Sequence, residues 1–127
     1  MASLEHGELK DSMKAIFEFQ KAFDAKRGWD WSNPKGKKEQ MQFLQHGTIA
    51  LAGEVGEFAN TLKKAMRHYE STGELPSKEV YENLNEEIVD VFIYVVKLSI
   101  ALGLNLSDGY YNKMKVNDKK FAKYVKK

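Results

Sequence analysis

Hydrophobic residues recur every three or four positions through most of the chain, which is the spacing of one face of an α-helix. The alternation typical of a half-buried strand is nowhere sustained, and only Pro34 and Pro76 are present as prolines. The pattern therefore predicts an all-α fold in a single domain over residues 1–127. We expect helices over about Leu9–Lys26, Glu39–His68, the segment between a capping Ser77 and a terminating Gly103, and Leu106–Tyr124.

The third predicted helix is apolar on nearly every face from Ile88 to Leu104, and its polar interruptions are chiefly Asp90, Lys97 and Ser99. A helix that is apolar all round is usually buried. One layer of four helices in a chain of 127 residues cannot cover so many apolar faces. We therefore infer a partner subunit.

Two pairs of acidic residues are spaced i, i+3 on the second and third predicted helices, Glu54 with Glu57 and Glu87 with Asp90. At this spacing both members of a pair project from one helix face. An unpaired carboxylate in the apolar surroundings of Asp90 would be strongly destabilising or would take up a proton. Because Mg²⁺ and Mn²⁺ prefer hard oxygen ligands, the pairs predict a Mg²⁺ site, with Mn²⁺ as the alternative. The competing interpretation is that the glutamates are solvated on helix surfaces, as most glutamates are.

Glycines and tryptophans near the acids leave two further choices open. Gly47, Gly53 and Gly56 each weaken a helix by about 1 kcal/mol relative to alanine. They indicate either the close approach of a ligand or backbone, or tight packing between helices. Trp29 and Trp31 lie in a polar loop before the second helix. Their rings suit stacking on a nucleobase, although burial as loop anchors is the more common role.

Composition narrows the classes of function. Cysteine is absent, which excludes disulfides, thiolate nucleophiles and zinc–thiolate sites. The net charge of +2 and the lack of a groove-reading motif beside the C-terminal lysines do not favour a nucleic-acid partner. No stretch has the length of a membrane span, and the N-terminus lacks the pattern of a signal peptide, so we expect a cytoplasmic protein without a membrane partner.

Three other kinds of catalytic site lack their sequence motifs. A di-iron bundle needs Glu-x-x-His pairs, and none of the three histidines follows a glutamate at that spacing. A serine hydrolase needs a glycine-framed nucleophile, and a P-loop needs its glycine-rich lysine motif. Neither motif is present.

The acid pairs and the residues around them resemble the MazG-like nucleotide pyrophosphohydrolases, which belong with the all-α dUTPase and dCTPase-type enzymes. The resemblance lies in three ordered segments, Leu51–Ala59, Glu86–Tyr94 and Asn112–Asn117. It implies a four-helix-bundle-like fold assembled as a homodimer or a dimer of dimers. It also implies magnesium-dependent hydrolysis of a nucleoside triphosphate between its α and β phosphates, giving a monophosphate and pyrophosphate.

The resemblance assigns roles to individual acids. Glu54, Glu57, Glu87 and Asp90 correspond to metal ligands, and Glu54 or Glu57 is the choice for the base that deprotonates water. Many relatives carry a second glutamate where this chain has Gly53, so one further acid of the family is missing here.

The resemblance also assigns substrate contacts. Lys113 and Asn117 match the element that reaches phosphate, and Tyr94 matches an aromatic position near the nucleotide. Two alternatives of another class stay open at this point. One is a helical scaffold without catalysis, which would use the same apolar faces to assemble, and the other is a small basic nucleic-acid-binding protein.

Overall fold

The computed structural model describes residues 4–127 and consists of helices joined by short loops. The elements are α1 (His6–Ala25), α2 (Lys37–Thr72), α3 (Lys78–Leu102), α4 (Leu106–Lys120) and a 3₁₀ helix, Ala122–Tyr124. No strand occurs in these described residues, which confirms the predicted all-α class. Across the same range, no helix is both long enough and apolar enough to cross a membrane.

The ends of α3 follow the predicted local chemistry. The Ser77 hydroxyl accepts a hydrogen bond from the Val80 amide at 3.4 Å, and Gly103 ends the helix in the left-handed conformation at φ 66°. The prediction for α4 was too long. That helix ends at Lys120, because the chain then tightens into the 3₁₀ turn that reaches Tyr124.

Helices α2 and α3 form the framework of the molecule. They pack along each other as an antiparallel hairpin joined by the short loop 73–77, while α1 packs on both α3 and α4. A side-chain contact fastens the beginning of α1 to α4, since His6 Nε2 lies 2.7 Å from Asp108 Oδ1 and the His6 ring stacks on Tyr111.

The hydrophobic core occupies one end of this framework. Its buried members are Trp31, Val96, Ile100 and Ala101, and Phe17, Phe43, Leu44 and Leu98 pack against them. Gly47 belongs to the same packing, because a Cβ atom there would come within 2.9 Å of both Leu98 and the Trp31 ring. At Gly47 the structure therefore favours tight packing over ligand approach.

The other end of the α2–α3 pair is open. Val55, Ile88 and Phe92 are exposed, and Asp90 is exposed beside them. Within the single chain the first half of α3 is therefore not covered, which leaves apolar faces for the partner subunit that the sequence predicts. The chain exposes 9891 Å², about 3,000 Å² more than the roughly 6,900 Å² expected for a compact protein of this mass.

Candidate functional site

The two acid pairs lie on the helices that pack together. Glu54 and Glu57 are on α2, and Glu87 and Asp90 are on α3. These four residues are called the acid cluster below. Because α2 and α3 run antiparallel in contact, the i, i+3 spacing on each helix turns both pairs toward a shared region.

The electrostatics of Glu54 indicate that the other three carboxylates are near enough to act on its charge. Burial raises the pKa of the Glu54 carboxyl above its ordinary value, and the negative charges of the other three acids raise it further, as does a side-chain hydrogen bond with Glu57. Like charges disfavour ionisation of a carboxyl when they are close to it. The sequence-based prediction that the two pairs converge is thus consistent with the charge environment of Glu54.

Two carboxylate oxygens in the cluster are buried without a hydrogen-bond donor. They are Oε2 of Glu54 and Oε2 of Glu87, and within residues 4–127 neither finds a partner. The other oxygen of Glu87 accepts a hydrogen bond from the Thr61 hydroxyl at 2.8 Å. A buried acceptor left unsatisfied costs about 1–3 kcal/mol, and more when it is charged. A hydrogen-bond donor or a cation would therefore stabilise both oxygens.

Thr61 is a site residue that sequence reasoning missed. It lies one turn after Glu57 on α2, so it continues the line of the first acid pair and reaches across to α3. Its hydroxyl fixes one Glu87 oxygen and leaves the other free to bind. The available signal was its i+4 spacing from Glu57, which sequence reasoning did not use.

The acids do not form a finished coordination shell. Among the described side chains, no three histidines, aspartates or glutamates already surround one point at ligand spacing. Glu57 and Asp90 are exposed, whereas Glu54 and Glu87 are partly buried. The donor set and the two unpartnered oxygens nevertheless fit a hard divalent cation such as Mg²⁺ or Mn²⁺.

An aromatic cluster made of Trp29, Trp31 and Tyr94 lies further along α3, around the ammonium of Lys97. The Lys97 Nζ atom is 5.4 Å from the Trp29 ring, 5.8 Å from Trp31 and 5.2 Å from Tyr94. Trp31 is 5% exposed and stacks on Phe43, so its position is explained by core packing. Trp29 is 49% exposed and is the tryptophan that a ligand can reach.

Lys97 forms a buried ion pair that sequence reasoning also missed. Its ammonium lies 3.5 Å from Asp24 Oδ1, and the two side chains are 11% and 3% exposed. Gln20 donates a hydrogen bond to the same Asp24 oxygen at 3.1 Å. The backbone carbonyl of Asp24 accepts from the Trp29 amide at 2.9 Å, which ties the tryptophan loop to the end of α1.

The predicted phosphate contacts lie elsewhere in the single chain. Lys113 and Asn117 are on α4, which packs on α1, and Lys113 is exposed. The Asn117 side-chain amide makes a weak contact with Met114 Sδ at 3.9 Å. The contacts between helices within one chain therefore do not unite these two residues with the acid cluster.

Cavities flank the framework. One of about 600 Å³ lies between α1 and the α3–α4 junction, lined by residues such as Met13, Phe17 and Leu106, and no member of the acid cluster lines it. Another of about 500 Å³ lies beside Thr61 under the α2–α3 loop, with Lys64 and His68 in its wall. The second cavity is thus next to the hydroxyl that holds Glu87.

Comparison with known proteins finds little. No family model matches the chain. The chain is similar to the Gene 37 protein of Mycobacterium phage L5, with 33% identity over 72 residues, which are 57% of this chain and 60% of that protein. The matched region thus spans less than two thirds of the phage protein, whose name states no activity.

Proposed function

We propose that the protein is a nucleoside triphosphate pyrophosphohydrolase that depends on Mg²⁺, with Mn²⁺ as the alternative ion. The observation that carries this proposal is the acid cluster, in which Glu54 and Glu87 each keep a buried oxygen without a donor. Negative charge from three neighbours already raises the pKa of Glu54, so a cation is the partner that would relieve both features. The resemblance to MazG-like enzymes supports the same reaction.

The acid cluster would hold the cation through Glu54, Glu57, Glu87 and Asp90. When bound, the cation supplies neutralisation of phosphate charge and lowers the pKa of a water. Thr61 orients Glu87 by its 2.8 Å hydrogen bond, and Glu54 or Glu57 accepts the proton of the attacking water. Water oxygen bonds to phosphorus at the α–β anhydride, the bridging P–O bond breaks, and pyrophosphate leaves from the monophosphate.

The nucleoside would lie against the aromatic cluster. Trp29 is half-exposed and Tyr94 is on the same face of α3 as Glu87 and Asp90. Stacking of a base on an aromatic ring contributes about 1–3 kcal/mol and tolerates many bases. The aromatic cluster would therefore bind the base beside the acids that bind the phosphates through the cation.

The protein is proposed to act as a homodimer or a homotetramer. Its excess exposed surface of about 3,000 Å² is of the size that obligate assemblies bury. In such an assembly a second copy would bring Lys113 and Asn117 to the phosphates, because α4 of the same chain packs on α1. Light scattering should give two or four times 14.6 kDa, and Phe92→Asp should reduce the mass. A monomeric wild type would contradict the proposal.

The activity is tested by pyrophosphate release from a panel of ribo- and deoxynucleoside triphosphates with Mg²⁺. Asp90→Asn should lower the rate at least about 100-fold, since even the loss of a residue that only supports a ligand costs 10–100-fold. Asp11→Asn makes the same chemical change at an exposed position of α1 and should have no effect. If the wild type releases no pyrophosphate from any nucleotide, the enzyme proposal fails.

A second candidate is a helical scaffold without catalysis. The observation that favours it is the same exposed apolar surface, with Ile49 at 73% and Val55 at 47% exposure. The two candidates differ in outcome, because a scaffold would assemble through these faces and release no pyrophosphate in the panel above.

A further inference from the structure

The ion pair of Asp24 and Lys97 is not explained by packing alone. A buried ion pair is weak evidence for stability, because apolar residues of similar volume often stabilise a fold as well or better. Here the pair is almost fully enclosed, at 3% and 11% exposure. The buried Lys97 ammonium is therefore better explained by a functional role than by a contribution to stability.

The Lys97 ammonium has donors that Asp24 does not use. Lysine carries three N–H donors and no acceptor. Its Asp24 contact is 3.5 Å, longer than the 2.7–2.9 Å of a strong charge-assisted hydrogen bond. The same Asp24 oxygen already accepts from Gln20 at 3.1 Å. Asp24 thus holds the ammonium in place and leaves hydrogen-bonding capacity free.

The Lys97 ammonium is surrounded by aromatic rings. The rings of Trp29, Trp31 and Tyr94 lie 5.2–5.8 Å from Lys97 Nζ, and Trp29 is 49% exposed. A heteroaromatic ring that binds at the exposed part of Trp29 is therefore close to a buried positive charge. In such a site a hydrogen bond is stronger than in water, because the local dielectric is low.

Lys97 and Tyr94 also lie on the same face of α3 as the acids of that helix. Lys97 is two helical turns beyond Asp90 on the same face of α3, and Tyr94 lies between them. The rise of an α-helix separates the two charged positions by about 10 Å. A nucleotide whose phosphates lie at the acids would thus extend its base toward Lys97.

We propose that Lys97 is a specificity-determining residue that donates a hydrogen bond to a carbonyl oxygen on the edge of the nucleobase. This inference rests on the proposed function. The site then takes bases with a carbonyl where adenine and cytosine carry an amino group, namely guanine, hypoxanthine, uracil and thymine. An amino group would set donor against donor and leave the ammonium unsatisfied, which is a strong basis for rejection.

Two matched pairs of substrates test the proposal. Inosine and adenosine triphosphates differ chiefly at position 6 of the purine, and uridine and cytidine triphosphates differ chiefly at position 4 of the pyrimidine. We expect wild-type kcat/KM to favour the carbonyl member of each pair at least about 10-fold, the size of one hydrogen bond to a charged group. Lys97→Met should bring both ratios close to one.

Further variants keep the test decisive. Lys97→Met leaves Asp24 buried without its partner, so the double variant Asp24→Asn with Lys97→Met removes both charges and should show the same loss of preference. Lys115→Met is the matched control. It removes another lysine that lies over a tyrosine, 5.4 Å from the Tyr111 ring on α4, and should leave the ratios unchanged.

A binding measurement separates this inference from the enzyme proposal. Inosine and adenosine monophosphates are titrated with tryptophan fluorescence as the readout, and the inosine compound should bind at least about 10-fold more tightly to wild type only. If wild type does not prefer the carbonyl bases, or if both Lys97 variants keep the preference, the role of Lys97 is overturned. Absence of pyrophosphate release combined with this binding preference would instead overturn only the catalytic proposal.

Discussion

The two ends of the α2–α3 framework differ in whether their charged side chains have ion-pair partners. At the closed end, Lys97 is enclosed by aromatic rings and meets Asp24 at 3.5 Å. At the open end, two turns earlier on the same helix face, Glu87 and Asp90 face Glu54 and Glu57. There, in the part of the chain that is described, no lysine or arginine forms an ion pair with any of the four acids within 4.0 Å.

This difference shows where the chain supplies its own counter-charge and where it does not. At the closed end, a helix from elsewhere in the same chain brings the Asp24 carboxylate to the ammonium. The open end keeps two buried oxygens without donors, and burial, followed by the charges of the other three acids, raises the pKa of Glu54. One buried charge of the fold thus has a partner from the same chain, whereas the four acids, of which Glu57 and Asp90 are exposed, have no ion-pair partner among the described residues.

The largest effect is expected from breaking the closed end. Lys97→Met should lower the free energy of unfolding by about 3 kcal/mol, because loss of one partner leaves a buried carboxylate uncompensated. The double variant with Asp24→Asn should recover most of that loss, and the coupling energy from urea denaturation of both single variants and the double variant measures the pair. Independent, additive losses would show that the two charges do not interact.

At the open end, Thr61→Val should weaken Mg²⁺ or Mn²⁺ binding by about 10–100-fold, the usual effect of removing a hydrogen bond that supports a metal ligand. Valine has nearly the shape of threonine, so the apo fold should lose only about 1 kcal/mol. Thr61→Ser keeps the hydroxyl and should retain affinity. Calorimetric titration with each ion is the measurement, and equal affinity of the valine variant and wild type would remove Thr61 from the site.

Substitution of glycine by alanine should change the free energy of unfolding by about 1 kcal/mol, with opposite signs at the two ends. Gly47→Ala places a Cβ within 2.9 Å of Leu98 and Trp31, and the overpacking of about 1–3 kcal/mol outweighs the gain of about 1 kcal/mol in helix propensity. A Cβ atom at Gly53 would instead meet no neighbouring group within 4 Å, so Gly53→Ala should stabilise the helix. Urea unfolding of both variants tests the contrast, which would fail if alanine had the same sign at both positions.

The smallest effect concerns Glu54 and pH. Its pKa is raised in the folded state, above the unfolded value, so its ionisation destabilises the metal-free fold near neutral pH. That destabilisation fades as the pH falls through the folded pKa. Glu54→Gln should therefore raise Tm slightly in EDTA at neutral pH, with a smaller gain at mildly acidic pH. A lower Tm for the glutamine variant at neutral pH would contradict the raised pKa.

Local signals predicted most of the helical architecture. Ser77 and Gly103 bounded α3 correctly because capping and left-handed termination depend on residues within one turn. The acid pairs were also visible, since i, i+3 spacing is a local property. The end of α4 was missed, because Phe121 and the residues after it have no glycine or proline to mark the change into a 3₁₀ turn.

Contacts between distant segments were not predictable in the same way. Lys97 stood out as a break in an apolar helix, but its partner Asp24 is far away in the chain and meets it only because α1 packs on α3. Exposure of Asp90 was likewise missed, since the sequence marks its apolar neighbours without showing which faces another helix covers.

The helical repeat of α3 also fixes the distance between two charged side chains. The separation of seven residues between Asp90 and Lys97 fixes the length of any molecule that contacts both side chains. The periodicity of 3.6 residues per turn keeps the two side chains on one face. Insertion of a single residue after Tyr94 would turn the lysine by about 100° around the axis. The helix would still form, but Asp90 and Lys97 could no longer contact the same bound molecule.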